Sequence, residues 1–330
     1  MANQQVDKMP VSLEMVTPGG PCLAYHIGCV VDDALFVHGG INKVGSTTPL
    51  SGFHRYDFGN GTWTEVKTPN SPALSHHASV VIGNRYIVLI GGWTGKFRVS
   101  DVVIYDTVSS VWSYPKTNGF PVGAGLSSHT ATVLGNGGIL IVGREGSLRM
   151  QRRTGSAFIL KGDVTQGFFQ YSEHVISVTS RTGHSLHVVG SKVVIIGGRD
   201  DKVLEVLPLE KQLASVPSVL LGALDNSLVS TLSPVAKEMS SRRHHVSVCC
   251  SKSIIVVHGG WTFDGRNRDP VSDMFLLELK PTIRWFLLGD TGISRAGHVC
   301  CSGSDRVFLH GGESSRGVIT GSLFELKMTK

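Results

Sequence analysis

HASVVIGNRYIVLIGG, residues 77–92, decides the fold, because it contains two strand-like runs joined by a tight turn. The runs at 78–82 and 85–90 are rich in β-branched and other apolar residues, and Gly83-Asn84 between them is a hairpin signal. The segment begins with a histidine and ends with a glycine pair. It therefore predicts a β-hairpin, and the histidine and the glycine pair that bound it identify any further copies in the chain.

The same ending recurs at regular spacing. Glycine pairs close apolar runs at Gly39-Gly40, Gly91-Gly92, Gly197-Gly198, Gly259-Gly260 and Gly311-Gly312, and a degenerate copy has Gly143 followed by Arg144. The first glycines are 52, 52, 54, 62 and 52 residues apart. A histidine precedes each first glycine by 13 or 14 residues: His26, His77, His129, His184, His245 and His298. A fixed period of this length indicates an array of equal structural units.

Each unit predicts four strands, A to D. Downstream of the hairpin lies an aromatic strand, as at Tyr56 and Tyr105, and seven residues later a tryptophan, Trp63 or Trp112. A four-stranded sheet cannot bury both of its faces alone, whereas six sheets packed radially can, and the ring protects most free edges. The predicted fold is all-β: a six-bladed propeller whose paired glycines lie where strand B meets the crowded hub.

The paired glycines and the period of about 50 residues resemble the kelch repeat, since a WD40 array would step by about 40–45 residues and carry Trp-Asp. Within that family, residues 125–130, 143–146 and 151–156 resemble the kelch domain-containing protein 9 group. The resemblance implies a stand-alone kelch propeller with no known activity and a cyclin-type cell-cycle partner.

The two ends of the chain predict how the ring closes. Residues 13–16 and the prolines after them match residues 64–67 and their prolines at an offset of 51. Residues of about 11–16 should therefore form strand D of the last blade. We expect one domain over 1–330, with blades at about 23–67, 74–116, 126–173, 180–209, 242–288 and 295–330 plus 11–16.

An insertion at 210–241 accounts for the 62-residue step. Val216, Val219, Leu220, Ala223 and Leu224 have helical spacing, and Pro217 suits a first helical turn. A short helix and a mobile loop are equal alternatives for this segment.

Composition limits the remaining choices. The chain of 330 residues is 41% hydrophobic and 17% charged, with a net charge of +6 and a pI near 9.0, which suits a large core and an acidic partner. The N-terminal residues form no apolar signal segment, and no run of 18 apolar residues occurs. The six cysteines have neither disulfide-framework nor metal-site spacing. We predict a cytoplasmic or nuclear protein that is not secreted.

Candidate chemistry is sparse. The six phased histidines lie on six different strands around a ring, so they cannot converge on a metal, and we interpret them as structural. Cys29, Cys249 and Cys301 each lie ten residues before a first glycine, and we interpret them as small thiols packed between blades. Some kelch proteins are enzymes, but the Glu-x3-Asp-x3-His motif of the iron-dependent specifier proteins does not occur. The sequence predicts no enzyme, no metal and no cofactor.

A binding surface is predicted on the face where the B–C loops and the D–A links emerge. Its charges sum to about +7, from +4 in the loops and +3 in the links. Arginine beside tryptophan is typical of interface anchors, and arginine pairs with carboxylates. The predicted partner-binding residues are Arg144, Arg149, Arg152, Arg153, Trp93, Lys96, Arg98, Arg199, Trp261, Arg266 and Arg268.

These patterns favour a protein-interaction scaffold that binds an acidic protein or peptide through this basic face. The alternative is a substrate-recognition subunit of a ubiquitin ligase, which would dock through residues 210–241. Nucleic-acid binding is disfavoured, because aromatic residues do not alternate with the arginines as stacking platforms do. No membrane partner is expected.

Overall fold

The structure is a computed structural model that describes residues 11–143, 157–174, 178–199, 202–214, 232–235, 239–263, 268–303 and 305–328. In chain order, the first nine strands are β1 (Val11–Thr17), β2 (Ile27–Val31), β3 (Ala34–His38), β4 (Phe53–Asp57), β5 (Thr62–Glu65), β6 (Ala78–Ile82), β7 (Tyr86–Trp93), β8 (Arg98–Asp106) and β9 (Val111–Ser113). The next nine are β10 (Lys116–Asn118), β11 (Thr130–Val133), β12 (Ile139–Val142), β13 (Ala157–Asp163), β14 (Phe168–Glu173), β15 (Ser185–Val189), β16 (Lys192–Ile196), β17 (Leu204–Pro208) and β18 (Arg242–Arg243). The last nine are β19 (Val246–Cys249), β20 (Ile254–His258), β21 (Trp261–Phe263), β22 (Arg268–Pro270), β23 (Asp273–Glu278), β24 (Arg284–Asp290), β25 (Val299–Gly303), β26 (Arg306–His310) and β27 (Leu323–Met328).

Each predicted repeat contains one main sheet whose A, B, C and any D strands are antiparallel, and we call this sheet a blade and number it by its repeat. Blades 1 and 2 are β2-β3-β4-β5 and β6-β7-β8-β9, blade 5 is β19-β20-β23-β24, and blade 6 is β25-β26-β27-β1. The first strands of the repeats, β2, β6, β11, β15, β19 and β25, contact one another in a closed cycle. The propeller predicted from the sequence is therefore confirmed, with strand A of every repeat lining the central channel.

The core lies between the blades. Six main clusters of buried residues occur in the described part of the chain, and each joins two neighbouring blades. Between blades 1 and 2, for example, Phe36 and Phe53 pack with Leu89 and Tyr105. A blade that is buried on both faces needs a neighbour on each side, which explains why the ring must close.

The paired glycines allow the blades to meet at the hub. Gly39 and Gly40 have φ values of +72° and +81°, which disfavour a side chain. A Cβ on Gly39 would lie 2.3 Å from the Leu74 carbonyl oxygen, and one on Gly40 would lie 2.5 Å from that of Ala24. The close approach at the end of strand B that the sequence predicted is therefore present.

The N-terminal strand closes the ring as the sequence predicted. β1 pairs antiparallel with β27, from Val11 opposite Met328 to Thr17 opposite Leu323, as the outer strand of blade 6. Val11 is fully buried in the core cluster that blades 5 and 6 share. The two ends of the described chain thus lie side by side.

Substituting Val11 tests this closure. Val11→Ala removes two buried methyl groups from the core between blades 5 and 6. We therefore expect a loss of about 2 kcal/mol in the free energy of unfolding, measured with urea. Met15→Ala is the matched control, since Met15 belongs to the same strand and is 58% exposed, and it should change stability by less than about 0.5 kcal/mol. Equal effects of the two substitutions would contradict the assigned closure.

The repeats differ where the sequence pattern is weakest. β10 leaves blade 2 and pairs in parallel with β14, which makes blade 3 a five-stranded sheet, β10-β14-β13-β12-β11. Gly119 follows β10, where a Cβ would lie 2.3 Å from the Tyr171 carbonyl oxygen, so the glycine permits this contact. The sequence analysis ended blade 2 at about residue 116, which is where β10 begins, but it did not predict that the next strand pairs with blade 3.

Blade 4 also departs from four strands, since its sheet in the described residues is β15-β16-β17. A short 3-10 turn follows at Lys211–Leu213. The predicted helix residues Val216, Val219, Leu220, Ala223 and Leu224 lie outside the described residues. A small sheet, β18-β21-β22, joins the link before blade 5 to that blade's B–C loop, and the sequence had not predicted it.

Candidate functional site

The loops of interest lie on one side of the propeller. Every A strand begins there, and the B–C loops and D–A links connect there, so we call this side the loop face. The A–B and C–D turns lie on the opposite side, the turn face. This arrangement follows from the antiparallel order of the strands in each blade.

A ring of six main-chain hydrogen bonds surrounds the channel at the loop face. It joins the residues before the phased histidines: Tyr25, His76, Ser128, Gly183, His244 and Gly297. Each N–H donates to the carbonyl of the preceding member, over 2.7 to 2.9 Å, and Tyr25 closes the circle by donating to Gly297. All six residues have φ between +52° and +64°. The left-handed conformation turns each N–H towards the neighbouring blade.

The phased histidines lie just below this ring and link the blades. Three bond to the histidine that ends a neighbouring B strand: His26 to His310 at 3.0 Å, His77 to His38 at 3.1 Å and His298 to His258 at 3.2 Å. His184 and His245 bond to hydroxyl groups, Thr130 at 3.0 Å and Ser185 at 2.9 Å, and His129 lies against the Ile90 backbone.

Burial lowers the pKa of each phased histidine far below its usual value, to about 4 for His129 and about 3 for His184. These side chains are neutral structural links, as interpreted from the sequence. No three His, Cys, Asp or Glu side chains among the described residues come together as a metal site.

Three aromatic rings meet across the mouth of the channel, and we call them the plug. The Tyr25 ring stacks on His76 with a centroid distance of 4.4 Å, and His244 lies edge-on to both, at 5.1 and 5.9 Å. They come from blades 1, 2 and 5. The cavity around the plug measures about 130 Å³ and includes Ser128. The plug was missed from the sequence, although its residues precede the phased histidines directly.

Trp261 extends from its loop to the plug. Its indole Nε1 donates a 3.2 Å hydrogen bond to the Tyr25 hydroxyl oxygen. Burial raises the pKa of Tyr25 to about 12, with the nearby charge of Glu313 adding to the shift and the Trp261 bond opposing it. Tyr25 therefore stays protonated at neutral pH, and Trp261 is an anchor of the mouth.

Trp93 holds two neighbouring loops together. Its indole Nε1 donates to the Thr47 carbonyl oxygen of blade 1 at 2.8 Å, and the Arg98 guanidinium lies over the ring at 5.9 Å. Arg199, on blade 4, donates to the Ser180 carbonyl oxygen at 2.8 Å. These three predicted binding residues are half-buried and contribute to loop structure.

Five of the predicted residues, Arg144, Arg149, Arg152, Arg153 and Arg266, lie outside the described residues, and only the backbone of Arg268 is described, in β22. They stay predictions.

Two arginines of the D–A links, whose charges are part of the +3 counted for those links, are internal. Arg181 pairs with Glu205 at 2.7 Å, and Arg242 pairs with Asp273 at 2.6 Å, with both arginine side chains fully buried. Burial raises the pKa of the Glu205 carboxyl, but hydrogen bonds from Lys202 and Thr179 and the charge of Arg181 outweigh it and lower the pKa. The exposed positive charge of the loop face is thus smaller than the sequence count.

The loop face still presents cations beside apolar side chains on three consecutive blades. Lys43 and Val44 lie on the blade 1 loop, Lys96 and Phe97 on the blade 2 loop, and Arg316 and Val318 on the blade 6 loop. All six are exposed, with Phe97 at 61% and Val318 at 58%. We call them the basic–apolar arc.

Cys29, Cys249 and Cys301 lie on inner A strands and carry free thiols. Cys29 and Cys301 are buried and pair with Phe36 and Phe308 of strand B. Both phenylalanines lie three residues before the first glycine of their repeat. Cys249 lies opposite Ile255, four residues before its glycine, and is half-buried. The sequence interpretation of buried thiols therefore fits Cys29 and Cys301, but Cys249 is displaced by one residue because its hairpin is longer.

Comparisons with known proteins agree with this architecture. A family model described as the KLHDC2/KLHL20/DRC7 Kelch-repeats domain matches residues 7–146. Kelch domain-containing protein 9 of Mus musculus is 30% identical over 317 residues, covering 88% of this chain and 87% of that protein, and the Homo sapiens protein is 28% identical over 305 residues with the same coverage.

Two further similarities are more limited. The Rab9 effector protein with kelch motifs of Danio rerio is 32% identical over 110 residues, which is 31% of each chain. The solved structure of YjhT superposes with a TM-score of 0.67 and covers 96% of this chain and all of that chain. Its 14% sequence identity supports the fold alone. No helix in the described residues is long and apolar enough to cross a membrane.

Proposed function

This chain belongs to the kelch-repeat family, together with kelch domain-containing protein 9, and from that premise we propose that it is a non-enzymatic scaffold that binds an acidic protein partner through its loop face. The observation that carries this proposal is the basic–apolar arc. Within the described residues, Lys43, Lys96 and Arg316 are exposed and form no ion pair, and each lies within two residues of an exposed apolar side chain.

The composition of the arc supports an interface. Exposed apolar side chains that lie on neighbouring loops are common at protein-binding sites, and Phe97 has the large ring that anchors such contacts. The adjacent cations complement carboxylates on a partner and raise its rate of association. An acidic surface with a few apolar side chains is the matching chemistry.

The loops of the arc are ordered before binding. In the blade 2 loop, the Thr94 hydroxyl donates to the Phe97 carbonyl oxygen at 3.0 Å. In the blade 6 loop, the N–H of Gly317 donates to the Ser314 carbonyl oxygen, and the N–H of Ser314 donates to the Val318 carbonyl oxygen, each over 3.0 Å. Trp93 connects the blade 1 and blade 2 loops. Ordered loops lose little conformational entropy when a partner binds, which favours affinity.

Charge reversal tests the proposal. The triple variant Lys43→Glu, Lys96→Glu and Arg316→Glu should weaken partner binding at least about tenfold, because it places like charges against an acidic surface. The matched control, Lys161→Glu, Lys192→Glu and Lys252→Glu, makes the same change of charge at exposed residues near the turn face. Quantitative affinity capture should lose the same proteins with the first variant and retain them with the control.

The outcome also separates the partner classes. If both variants retain the same captured proteins, the loop face is not the binding surface. A cullin that co-purifies with both variants would support the ligase-receptor alternative instead. Direct titrations should include a cyclin-type protein, which the family resemblance implies, and Rab9, which the name of the Danio rerio relative suggests. We place this function in the cytoplasm or nucleus.

A further inference from the structure

A second cavity lies in the central channel, between the phased histidines and the turn face. It measures about 380 Å³ and shares no lining residue with the cavity at the plug. All six blades contribute to its wall through their A strands. Its volume is within the range of about 300–1,000 Å³ that small-molecule sites occupy in proteins.

The channel cavity extends to the turn-face end of the A strands. Towards the loop face, the phased histidines of all six blades and the plug lie between this cavity and solvent. Towards the turn face, Val133 lines the cavity as the last residue of β11 and is 36% exposed. A ligand would therefore enter from the turn face, away from the basic–apolar arc.

Small residues at one level of the A strands create the space. Gly28, Ser79 and Ala131 each lie two residues after a phased histidine and line the cavity. Gly28 cannot be enlarged, since a Cβ there would lie 2.8 Å from the Cys301 sulfur. The cavity is thus built into the packing of the inner strands.

The wall combines apolar and hydrogen-bonding groups without charge. Val30, Val81, Val133 and Val188 supply apolar surface, and the hydroxyl groups come from Ser79, Thr132 and Ser302. Among the described residues, the lining contains no Asp, Glu, Lys or Arg. An ion placed here would lose its hydration without a counter-charge, which is costly.

The titratable groups of the wall remain neutral as well. His187 forms a 2.6 Å hydrogen bond with the Ser247 hydroxyl, and burial lowers its pKa to about 4. Burial raises the pKa of the Cys29 thiol to about 12 and that of Cys249 to about 11. The thiols therefore remain protonated and behave as small apolar groups rather than as ligands of a metal ion.

We propose that the channel cavity is a binding site for a small uncharged molecule with an apolar body and hydrogen-bonding groups. The valine side chains contact the apolar body. The hydroxyl groups of Ser79, Thr132 and Ser302 orient its polar end. The absence of charge from the wall selects against anions and cations of the same shape.

The test uses three probes of nearly one shape: benzamide, benzoate and benzamidinium. In methyl-labelled protein, benzamide should shift the NMR resonances of Val30, Val81 and Val133 in a saturable way, with a dissociation constant of about 1 mM, as is ordinary for so small a ligand. Benzoate and benzamidinium should bind at least about tenfold more weakly.

Variants locate the site. Ser79→Leu and, separately, Ala131→Leu fill the cavity from two different blades, and each should weaken benzamide binding at least about tenfold. The two variants guard against a folding defect in either one, and far-ultraviolet circular dichroism should match the unsubstituted protein. The loop-face variant Lys43→Glu, Lys96→Glu and Arg316→Glu should bind benzamide normally, so this test is independent of the proposed partner surface.

Two results would overturn the proposal. One is the absence of a saturable shift at the three valines with benzamide. The other is equal binding of the three probes, since the uncharged wall would then select nothing.

Discussion

Lowering the pH from 7 to about 5 should unfold this protein, because it holds ten histidines in their neutral form, nine of them buried and one half-buried. They comprise the six phased histidines, the three that end B strands and one in the channel: His26, His77, His129, His184, His245, His298, His38, His258, His310 and His187. Burial lowers the pKa of every one.

The direction of the effect follows from proton linkage. In the unfolded chain each histidine has a pKa of about 6.5, so below that pH the unfolded state binds more protons than the folded state and gains stability. At pH 5.5 each of these neutral histidines lowers the free energy of unfolding by about 1.4 kcal/mol, and the ten together lower it by about 14 kcal/mol. This is close to the whole free energy of unfolding of a typical domain, about 5–15 kcal/mol.

Tryptophan fluorescence and circular dichroism across pH 7 to 3 provide the measurement. The repeats themselves suggest a variant: blades 2 and 4 have isoleucine, Ile90 and Ile196, where blades 1, 5 and 6 have His38, His258 and His310. Changing these three histidines to isoleucine should move the unfolding midpoint to lower pH, whereas His174→Gln, at a partly exposed site, should not. A midpoint below about pH 4 in the unsubstituted protein would instead indicate carboxylates.

Glu205→Leu should lower the free energy of unfolding by about 3–5 kcal/mol, because it leaves a fully buried guanidinium without its counter-ion. Arg181 also donates to the Gly197 carbonyl oxygen at 2.6 Å, so it cannot easily leave its site to reach water. Urea unfolding followed by fluorescence measures the loss. The pair lies near the loop face, so the defect should also loosen the blade 4 loop.

Two further variants separate charge from packing. Arg181→Leu combined with Glu205→Leu should recover at least half of the loss, because a buried pair replaced by apolar side chains is often nearly neutral. Glu65→Leu, at an exposed residue of β5, should change stability by less than about 0.5 kcal/mol. A double variant no more stable than Glu205→Leu would mean that packing, rather than the unpaired charge, dominates.

The fold was predictable because its determinants are local and repeated. The glycine pair, the phased histidine and the turn between them lie within about 15 residues, and six copies reinforce one another. Closure by β1 was also predictable, since residues 13–16 resemble a strand D that the last repeat lacks. In both cases a repeated sequence pattern corresponds to a contact between strands.

The rest depends on contacts between distant segments. Sequence could not indicate that Arg181 and Arg242 pair internally, because their partners Glu205 and Asp273 lie in the C strands of their blades, 24 and 31 residues away. Nor could it indicate that β10 crosses to blade 3, because a three-residue outer strand has no pattern that selects its neighbour. The plug residues had a signal, their place before each phased histidine, but Tyr25, His76 and His244 share no side-chain type.

The pairing of β1 with β27 has a consequence for synthesis on the ribosome. Val11 is synthesised before its partner Met328, and more than 300 residues lie between them. Until then β1 is an apolar strand with an open edge, and blades 1 and 6 each lack a neighbour. Such intermediates associate readily with other chains. A nascent chain of this protein should therefore need chaperone protection until β27 has been synthesised, however fast its individual hairpins form.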